Sequence, residues 1–250
     1  MNSTSVFPPL QEWSLEYVLL FWAIHLVGVE VLQHLIVMNC HVIAVTDRPL
    51  ENKGKHLDEL EFKDKFLIVF NRLCVPLLTY SMFKFMWDNP SHVEWDLHKL
   101  TLANTLGSLV GFFTLYDFFY VLLHRFLHIR AIYPWVHKHH HRQHAPSRGN
   151  VDAVNVHPFE FLSGEFLHLF AIMVVPCHAL TVLVFMVIAG VLASLNHTRY
   201  DVQLGVYEVR VHDVHHRIPQ SNYGQYTMFW DRAMGSYRSY EQTRKVEHED

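Results

Sequence analysis

The chain of 250 residues is half apolar and 14% aromatic, yet 18% of its residues are charged. One domain of ordinary size fits this length, and a domain partly embedded in a membrane fits this mixture of apolar and charged residues. A formal net charge of −4 argues against nucleic acid as a partner, and three widely spaced cysteines without a CxxC motif exclude a disulfide framework and a thiolate zinc site.

Apolar stretches in the first half of the chain predict three membrane-crossing helices, because a crossing needs about 20 residues. The first lies within residues 13–45. The second lies within residues 66–86, where Arg72 weakens the span and Pro76 is expected to kink it. The third, residues 100–123, is the cleanest, since a single carboxylate interrupts it. The absence of Lys and Arg before residue 48 argues against a signal peptide, which begins with positive charge.

Residues 159–195 form a further apolar stretch, which is interrupted at Pro176. This pattern predicts two short helices joined by a turn. Each helix would have about 17 residues, the lower limit for a crossing. A hairpin that dips into the bilayer and a pair of true crossings therefore both stay open.

The distribution of basic residues predicts the orientation of the chain in the membrane. Segments 48–65 and 124–148 are basic and are expected in the cytosol, because positively charged loops favour that side. Segments 1–12 and 87–99 are then expected to face the lumen. This arrangement places all the clustered histidines on the cytosolic side.

Histidine is the most over-represented residue, with 21 copies, and it occurs in three short clusters spaced H-x3-H, H-x2-HH and H-x2-HH. Residues at i, i+3 and i+4 of a helix share a face, so each cluster is expected to point several imidazoles at one spot. In the second cluster His139 turns away from that face, whereas His144 lies on it. The candidate metal ligands, including one histidine between the clusters, are His124, His128, His137, His140, His141, His197, His212, His215 and His216.

The number of candidate ligands predicts two metal ions. Nine imidazoles exceed the six positions of one octahedral ion, whereas two ions offer about twelve and leave some for water, oxygen or a bridge. Imidazole suits Zn, Cu, Fe and Ni, but zinc hydrolases use fewer imidazoles and add a carboxylate base. An all-imidazole pair beside a membrane indicates redox chemistry on a lipid. The alternative from another class is a histidine-rich membrane metal transporter or metal-binding protein.

Five stretches carry a resemblance to a known family: HRFLH, HKHHH, NVHPFE, NHTRYD and HDVHHRIPQSNYGQYTMFWDRAMGS. In their order and spacing, the chain resembles the sterol desaturase/fatty acid hydroxylase superfamily of membrane histidine-box di-iron oxidases. The resemblance covers residues 100–238 and, more loosely, the whole chain. The last stretch is similar to sterol 5-desaturases, whereas HRFLH and the compact first half are similar to methylsterol oxidases and sterol side-chain hydroxylases.

The resemblance implies an O2-dependent lipid monooxygenase or desaturase with two non-haem iron ions. Its substrate would be a lipid from the bilayer, and a sterol is favoured over a fatty acyl chain. Electrons would come from NAD(P)H through cytochrome b5 or a reductase. The resemblance also implies the endoplasmic reticulum membrane as the location, with the active site in the cytosol.

These observations together predict an all-α fold: a multi-span integral membrane helical bundle with a cytosolic, histidine-rich di-metal cap. Residues 1–99 are expected to form the N-terminal spans and connectors. Residues 100–250 are expected to form a catalytic domain of the fatty acid hydroxylase type, and the two parts make one structural unit.

Several residues are expected to complete or support the metal site. Fatty acid 2-hydroxylases place a second histidine four residues before the one matching His197, where this chain has Ala193, so His157 is a candidate substitute ligand or supporting residue. Asp117 shares a helix face with His124 and is expected to accept a hydrogen bond from its imidazole. Three further carboxylates are candidates for the same supporting role: Asp201, Asp213 and Asp231.

Overall fold

Three helices are long and apolar enough to cross a membrane in the computed structural model, which describes residues 12–44, 50 and 59–241. They are α1 (Leu15–Asn39), α2 (Phe62–Asp88) and α3 (Leu102–Leu127), and they match the three predicted crossings. Helix α1 contains a π-helical stretch at Ile24–Val29, and α2 continues through Pro76. Residues 1–11 and most of the segment 48–65, for which an orientation was predicted, lie outside the described residues.

Polar residues fix the points at which α2 and α3 begin. The Thr101 hydroxyl accepts a hydrogen bond from the Asn104 amide, and the Asn104 side chain accepts one from the Thr101 amide. Glu61 and Asp64 form the equivalent reciprocal pair at the start of α2. Such capping boxes satisfy amide groups that have no partner within the helix. Each helix therefore begins where the polar connector ends and the apolar run starts.

The remaining elements are short, apart from the predicted helical hairpin. The helices are α4 (Tyr133–Val136), α5 (Asn150–Ala153), α6 (Pro158–Val174), α7 (Ala179–Leu195), α8 (Val209–Arg217) and α9 (Phe229–Ala233). The strands are β1 (Val93–Glu94), β2 (Cys177–His178), β3 (Gln203–Leu204) and β4 (Tyr207–Glu208), and single 3-10 turns occur at Cys40–Ile43, Leu97–Lys99 and His140–Arg142.

The α6–α7 hairpin runs the length of the bundle. Its turn contains β2, which pairs in parallel with β1, so Cys177 lies opposite Val93 in the loop between α2 and α3. The Ser108 hydroxyl donates to the carbonyl of Pro176 in the same turn, at 3.0 Å. A Cβ atom at position 111 would lie 3.1 Å from a methyl carbon of Val175, so Gly111 relieves crowding where α3 approaches the turn. The turn therefore lies at the end of the bundle that is opposite the histidines.

Three apolar clusters hold the helices together. The largest lies between the long helices and the hairpin and includes Phe112, Tyr116 and Phe185. The second lies at the histidine end and includes Leu195 and Val209. The third lies between α2 and α6. The predicted all-α membrane bundle is confirmed. The division at residues 99 and 100 stays a prediction, although α2 of the first part packs against α6 of the second.

Candidate metal centre

Nine histidines meet at the end of the bundle where α3 and α7 end. They form two groups, and within each group one ring nitrogen from every histidine lies within 4.8 Å of the others. All nine predicted ligands are thus brought together. The first group contains five residues, His124, His128, His137, His141 and His215, and the second contains four, His140, His197, His212 and His216.

Short distances between Nε2 atoms define the first group. They are 2.9 Å between His124 and His137, 3.0 Å between His137 and His141, and 3.1 Å between His141 and His215. A bond of about 2.1 Å from a metal to imidazole places two adjacent nitrogens of an octahedral ion about 3.0 Å apart. The group therefore has the nitrogen spacing that one shared ion requires.

The second group is slightly wider and adjoins the first. The Nε2 atom of His212 lies 3.1 Å from that of His216 and 3.4 Å from that of His197, which in turn is 3.5 Å from that of His140. Tetrahedral ligands at about 2.1 Å from one ion lie about 3.4 Å apart. The rings of His141 and His216, one from each group, have centroids 5.1 Å apart. The arrangement therefore fits two neighbouring ions.

The first H-x2-HH motif divides between the two groups. His137 and His141 enter the first group and His140 enters the second, so the prediction that this cluster points at one spot is wrong. Positions i+3 and i+4 of a helix differ in direction by about 100°, enough to face two neighbouring ions. His139 turns away, as predicted, and its Nε2 lies 3.0 Å from a carboxylate oxygen of Asp64. His144 belongs to neither group.

The second H-x2-HH motif, on α8, divides in the opposite sense. Here His212 and His216 enter the second group, and His215 enters the first. The H-x3-H motif does behave as predicted, because His124 and His128 enter the same group. Each H-x2-HH motif thus supplies a pair to one group and a single histidine to the other.

Backbone carbonyls orient four of the imidazoles. A carbonyl oxygen only accepts, so the Nδ1 atom that faces it must carry the proton, and the Nε2 lone pair is left facing the group. Such bonds fix both the tautomer and the direction of the ring. They run from His124 to Tyr223 (2.8 Å), from His215 to Ser221 (2.6 Å), from His216 to Gln143 (3.0 Å) and from His197 to Ala193 (2.9 Å).

A carboxylate that the sequence analysis did not predict lies against a fifth imidazole. The Nδ1 atom of His137 lies 2.8 Å from a carboxylate oxygen of Glu160, near the start of α6, and both side chains are buried. Glu160 could have been predicted from the sequence, because it is a carboxylate within an apolar run, as Asp117 is. The sequence predicted a supporting role for the nearby His157, three positions earlier, and not for Glu160.

Asp117 does not contact His124, so the predicted hydrogen bond between them is wrong. Seven helical residues rise about 10 Å, which places the carboxylate too far below the imidazole to reach it. Asp117 instead accepts the backbone amides of Tyr226 and Thr227, at 3.0 and 2.6 Å. It therefore holds the segment that follows the carbonyl acceptor at Tyr223.

The other predicted supporting residues also lack direct contact with the imidazoles. Asp231 accepts from the amides of Tyr223 and Gly224, so it holds the same segment as Asp117. His157 caps α6, where its Nδ1 atom accepts from the Phe159 amide at 3.1 Å, and it belongs to neither group. The remaining two carboxylates pair with arginines: Asp201 with Arg210, and Asp213 with Arg199 and Arg217.

Burial keeps the grouped histidines outside the membrane helices neutral near pH 7. Desolvation, followed by the proximity of other imidazoles, lowers the pKa of His128 from its ordinary value of 6.5 to about 3. The same causes, in the same order, hold the pKa of His137 and His141 well below 6.5. Neutral imidazole is the form that binds metal, so burial keeps these histidines in the protonation state that a metal ligand needs.

These shifts predict a pH-dependent stability of the metal-free protein. Below pH 6.5 these histidines bind protons in the unfolded chain but not in the folded protein. The free energy of unfolding therefore falls as the pH is lowered. Each histidine with a lowered pKa contributes up to about 1.4 kcal/mol per pH unit in this range. We expect chelator-treated protein to unfold at a lower temperature at pH 5 than at pH 7.5. An equal unfolding temperature at both values would contradict the predicted shifts.

A cavity of 720 Å³ lies among α1, α2, α3, α6 and α7 and reaches the second histidine group. His140, His197 and His212 line it, and among the described residues no member of the first group does. Elsewhere its walls are mainly apolar and include Met82, Leu183 and many similar side chains. The cavity can therefore hold an apolar molecule with one end against the second group.

The sequence profile of the fatty acid hydroxylase family matches residues 109–236. The match covers half of the chain and contains all nine grouped histidines. The chain belongs to the fatty acid hydroxylase family. This membership confirms the resemblance to the sterol desaturase/fatty acid hydroxylase superfamily. No solved structure matches the chain.

Curated relatives of this fatty acid hydroxylase family member carry names from sterol metabolism. A cholesterol 25-hydroxylase-like protein of Caenorhabditis elegans is 26% identical over 98% of this chain and 79% of its own length. A Delta(7)-sterol 5(6)-desaturase of Candida glabrata is 28% identical over 83% of this chain and 57% of its own length. Methylsterol monooxygenase 1 of Rattus norvegicus is 29% identical over 80% of this chain and 69% of its own length. The chain is thus similar to both hydroxylating and desaturating enzymes.

Proposed function

We propose that the chain is a membrane-bound non-haem di-iron oxygenase that hydroxylates a C–H bond of a lipid, with a sterol as the favoured substrate. The observation that carries this proposal is the junction of an all-imidazole, two-group site with an apolar cavity. A hydrolase would need a carboxylate base beside its metals. The names of the relatives support oxidation of a sterol.

A pair of irons, when bound, supplies the O2 activation that abstraction of hydrogen from an unactivated C–H bond requires. In the overall reaction the lipid R–H, O2, two electrons and two protons give R–OH and water. The two electrons come from NAD(P)H through cytochrome b5 or a reductase, which act as partners in this proposal. The nine histidines are the proposed iron ligands, and the four backbone carbonyls orient four of them.

The two groups differ in what they leave open. The first group offers five imidazoles and the second offers four, so an ion held by the second group would have more room for other ligands. The four-histidine group is also the one that faces the cavity. His140, His197 and His212 are therefore placed to surround the lipid carbon that reacts. The apolar walls of the cavity exclude water from that carbon.

Desaturation on the same scaffold is the second candidate reaction, and the similarity to a Delta(7)-sterol 5(6)-desaturase favours it. Both reactions begin with abstraction of one hydrogen, and they differ in whether oxygen is then transferred or a second hydrogen is removed. A metal transporter is less well supported, because its ligands would lie deep within the spans. The grouped histidines lie instead where α3 and α7 end.

Expression in yeast strains that each lack one sterol oxidase tests the proposed reaction. We expect mass spectrometry of the extracted lipids to show a product with one additional oxygen atom. A product that lacks two hydrogens would identify a desaturase instead. The matched control is the same chain with His212→Ala, which should form neither. If wild-type extracts contain no new lipid in any strain, the proposal of sterol oxidation is wrong.

We further propose that the histidine end faces the cytosol, in the endoplasmic reticulum membrane. In sealed microsomes, a cysteine in place of the lysine at position 138 should react with an impermeant thiol reagent. A cysteine in place of Lys99, at the opposite end of the bundle, should react only after the membrane is permeabilised. The reverse pattern would contradict the positive-inside interpretation of segment 124–148.

A further inference from the structure

A polar cluster interrupts the apolar wall of the cavity at a distance from the histidine groups. It consists of His168 and Glu165 on α6 and Tyr226 in the segment before α9, and all three line the cavity. His168 is 94% buried, with 6% of its surface exposed, and its Nε2 atom lies 2.8 Å from the Tyr226 hydroxyl. The proposed metal site does not use any of these side chains.

One atom of this cluster lacks a partner. The Nδ1 atom of His168 is buried without a hydrogen bond. The nearest carboxylate oxygen of Glu165 is 3.6 Å away, which is too long for a direct bond. Buried polar atoms are normally paired, because an unpaired one is costly. An oxygen atom of a ligand in the cavity, to one side of the line between Nδ1 and the carboxylate, can lie within hydrogen-bond distance of both.

The surrounding side chains hold the imidazole in place. The ring of Tyr116 stacks on that of His168, with centroids 4.2 Å apart. The ring of Phe185 lies 5.6 Å from it. Because neighbouring rings restrict the imidazole, its free nitrogen keeps a fixed direction and can select a ligand group by position.

Two helices give the same distance between this cluster and the histidine groups. Glu160, which lies against His137, precedes His168 by eight residues on α6, and Tyr116 precedes His124 by eight residues on α3. Eight helical residues rise about 12 Å. The cluster therefore lies about 12 Å from the metal site, towards the middle of the bundle.

We propose that His168, Glu165 and Tyr226 bind a hydroxyl group of the lipid substrate, about 12 Å from the carbon that is oxidised. This inference rests on the proposed function. A hydroxyl both accepts and donates, so it can accept from Nδ1–H of His168 and donate to the Glu165 carboxylate. It can bridge the two without carrying charge into the bundle.

An anionic headgroup fits this cluster less well than a hydroxyl. A carboxylate or phosphate would lie beside the Glu165 carboxylate. Arg72, the arginine among the residues that line the cavity, already pairs with Glu30 at 2.8 Å. An anion would therefore lose its hydration without gaining a cation. The cluster thus favours an alcohol, such as a sterol, over a free fatty acid.

Equilibrium binding to purified protein in detergent tests the inference, with radiolabelled cholesterol and the same hydrocarbon without its hydroxyl as probes. We expect wild type to bind the alcohol about tenfold more tightly, because a site built for a hydroxyl rejects an analogue that lacks it. His168→Leu should bind both probes equally, at the affinity of the analogue. His168→Gln keeps polar atoms and should restore part of the preference.

His92→Leu is the matched control, because His92 does not line the cavity and its Nε2 atom lies 2.9 Å from the Ile172 carbonyl oxygen. It should keep the tenfold preference. Unchanged binding of the analogue to His168→Leu shows that the cavity is intact. The Tyr226→Phe variant, a smaller change in structure, should weaken the preference for the alcohol over the analogue. Equal binding of both probes to wild type, or a full preference in His168→Leu, overturns the inference.

The outcome is independent of the proposed function, since binding needs neither iron nor O2 nor an electron donor. A protein that oxidises lipids but does not distinguish the two probes contradicts the hydroxyl site alone. A protein that prefers the alcohol but oxidises no lipid contradicts the proposed reaction and leaves the hydroxyl site supported.

Discussion

The His215→Ala variant is expected to form no oxidised lipid and to hold fewer than two irons per chain. His215 is fully buried, and its Nε2 atom lies 3.1 Å from that of His141 within the first group. Its removal takes away one ligand and leaves the Ser221 carbonyl without its donor. Elemental analysis after anaerobic iron loading should give close to two irons for wild type. Zinc in an unloaded sample would not decide the matter, because zinc also binds imidazole tightly.

Two histidine variants serve as controls for this result. His157→Ala removes a helix cap outside both groups and should cost about 1 kcal/mol of stability while both irons are retained. His139→Ala removes a contact to Asp64 and should likewise lower the unfolding temperature without loss of iron. If His139→Ala loses iron as His215→Ala does, the assignment of ligands is wrong. Two irons in His215→Ala would contradict the five-histidine group.

The Asp231→Ala variant is expected to combine a large loss of stability with weaker metal binding. The Asp231 carboxylate is fully buried and accepts from the amides of Tyr223 and Gly224 and from the Ser236 hydroxyl. Each donor left unpaired costs about 1–3 kcal/mol. The Tyr223 carbonyl would also lose its fixed position against His124. Loss of such indirect support typically lowers metal affinity or activity about 10–100-fold.

Thermal unfolding and an iron-binding titration measure the two effects separately. Asp88→Asn is the control, since Asp88 is half exposed and pairs with Lys84 on the surface of α2. Exposed pairs of this kind contribute little, so the control should behave as wild type. An Asp231→Ala variant that unfolds and binds iron as wild type does would show that other contacts hold the segment around Tyr223.

The sequence was sufficient to predict the spans and the set of histidines, because both depend on local residue type. A run of 20 apolar residues has few alternatives to a membrane helix. Eight of the nine imidazoles were recognisable from their spacing, and His197 was recognisable as the histidine between the clusters. Their division between two groups was not, since His140 and His141 are neighbours whose directions depend on the backbone of one turn.

The hydrogen-bond acceptors of the imidazoles could not be predicted from the sequence, for a different reason. Every residue carries a backbone carbonyl, so nothing marks Tyr223 or Ser221 as acceptors before the chain is folded. His124 and Tyr223 are also 99 positions apart. Carboxylates were the residues that could be predicted as acceptors from the sequence. The predicted contact between Asp117 and His124 is one that the helical rise does not allow. The actual role of Asp117, holding the segment after Tyr223, requires the tertiary structure.

The opposite division of the two H-x2-HH motifs makes occupancy of the two ion positions interdependent. An ion bound in the first group would order the backbone of His137 and His141, and that same turn carries His140 of the second group. On α8, an ion held by His212 and His216 would likewise order the helix that carries His215 of the first group. Binding of one ion would therefore preorganise the ligands of the other and would be linked to folding of the cap. Loading should be cooperative, with few singly occupied molecules at half saturation.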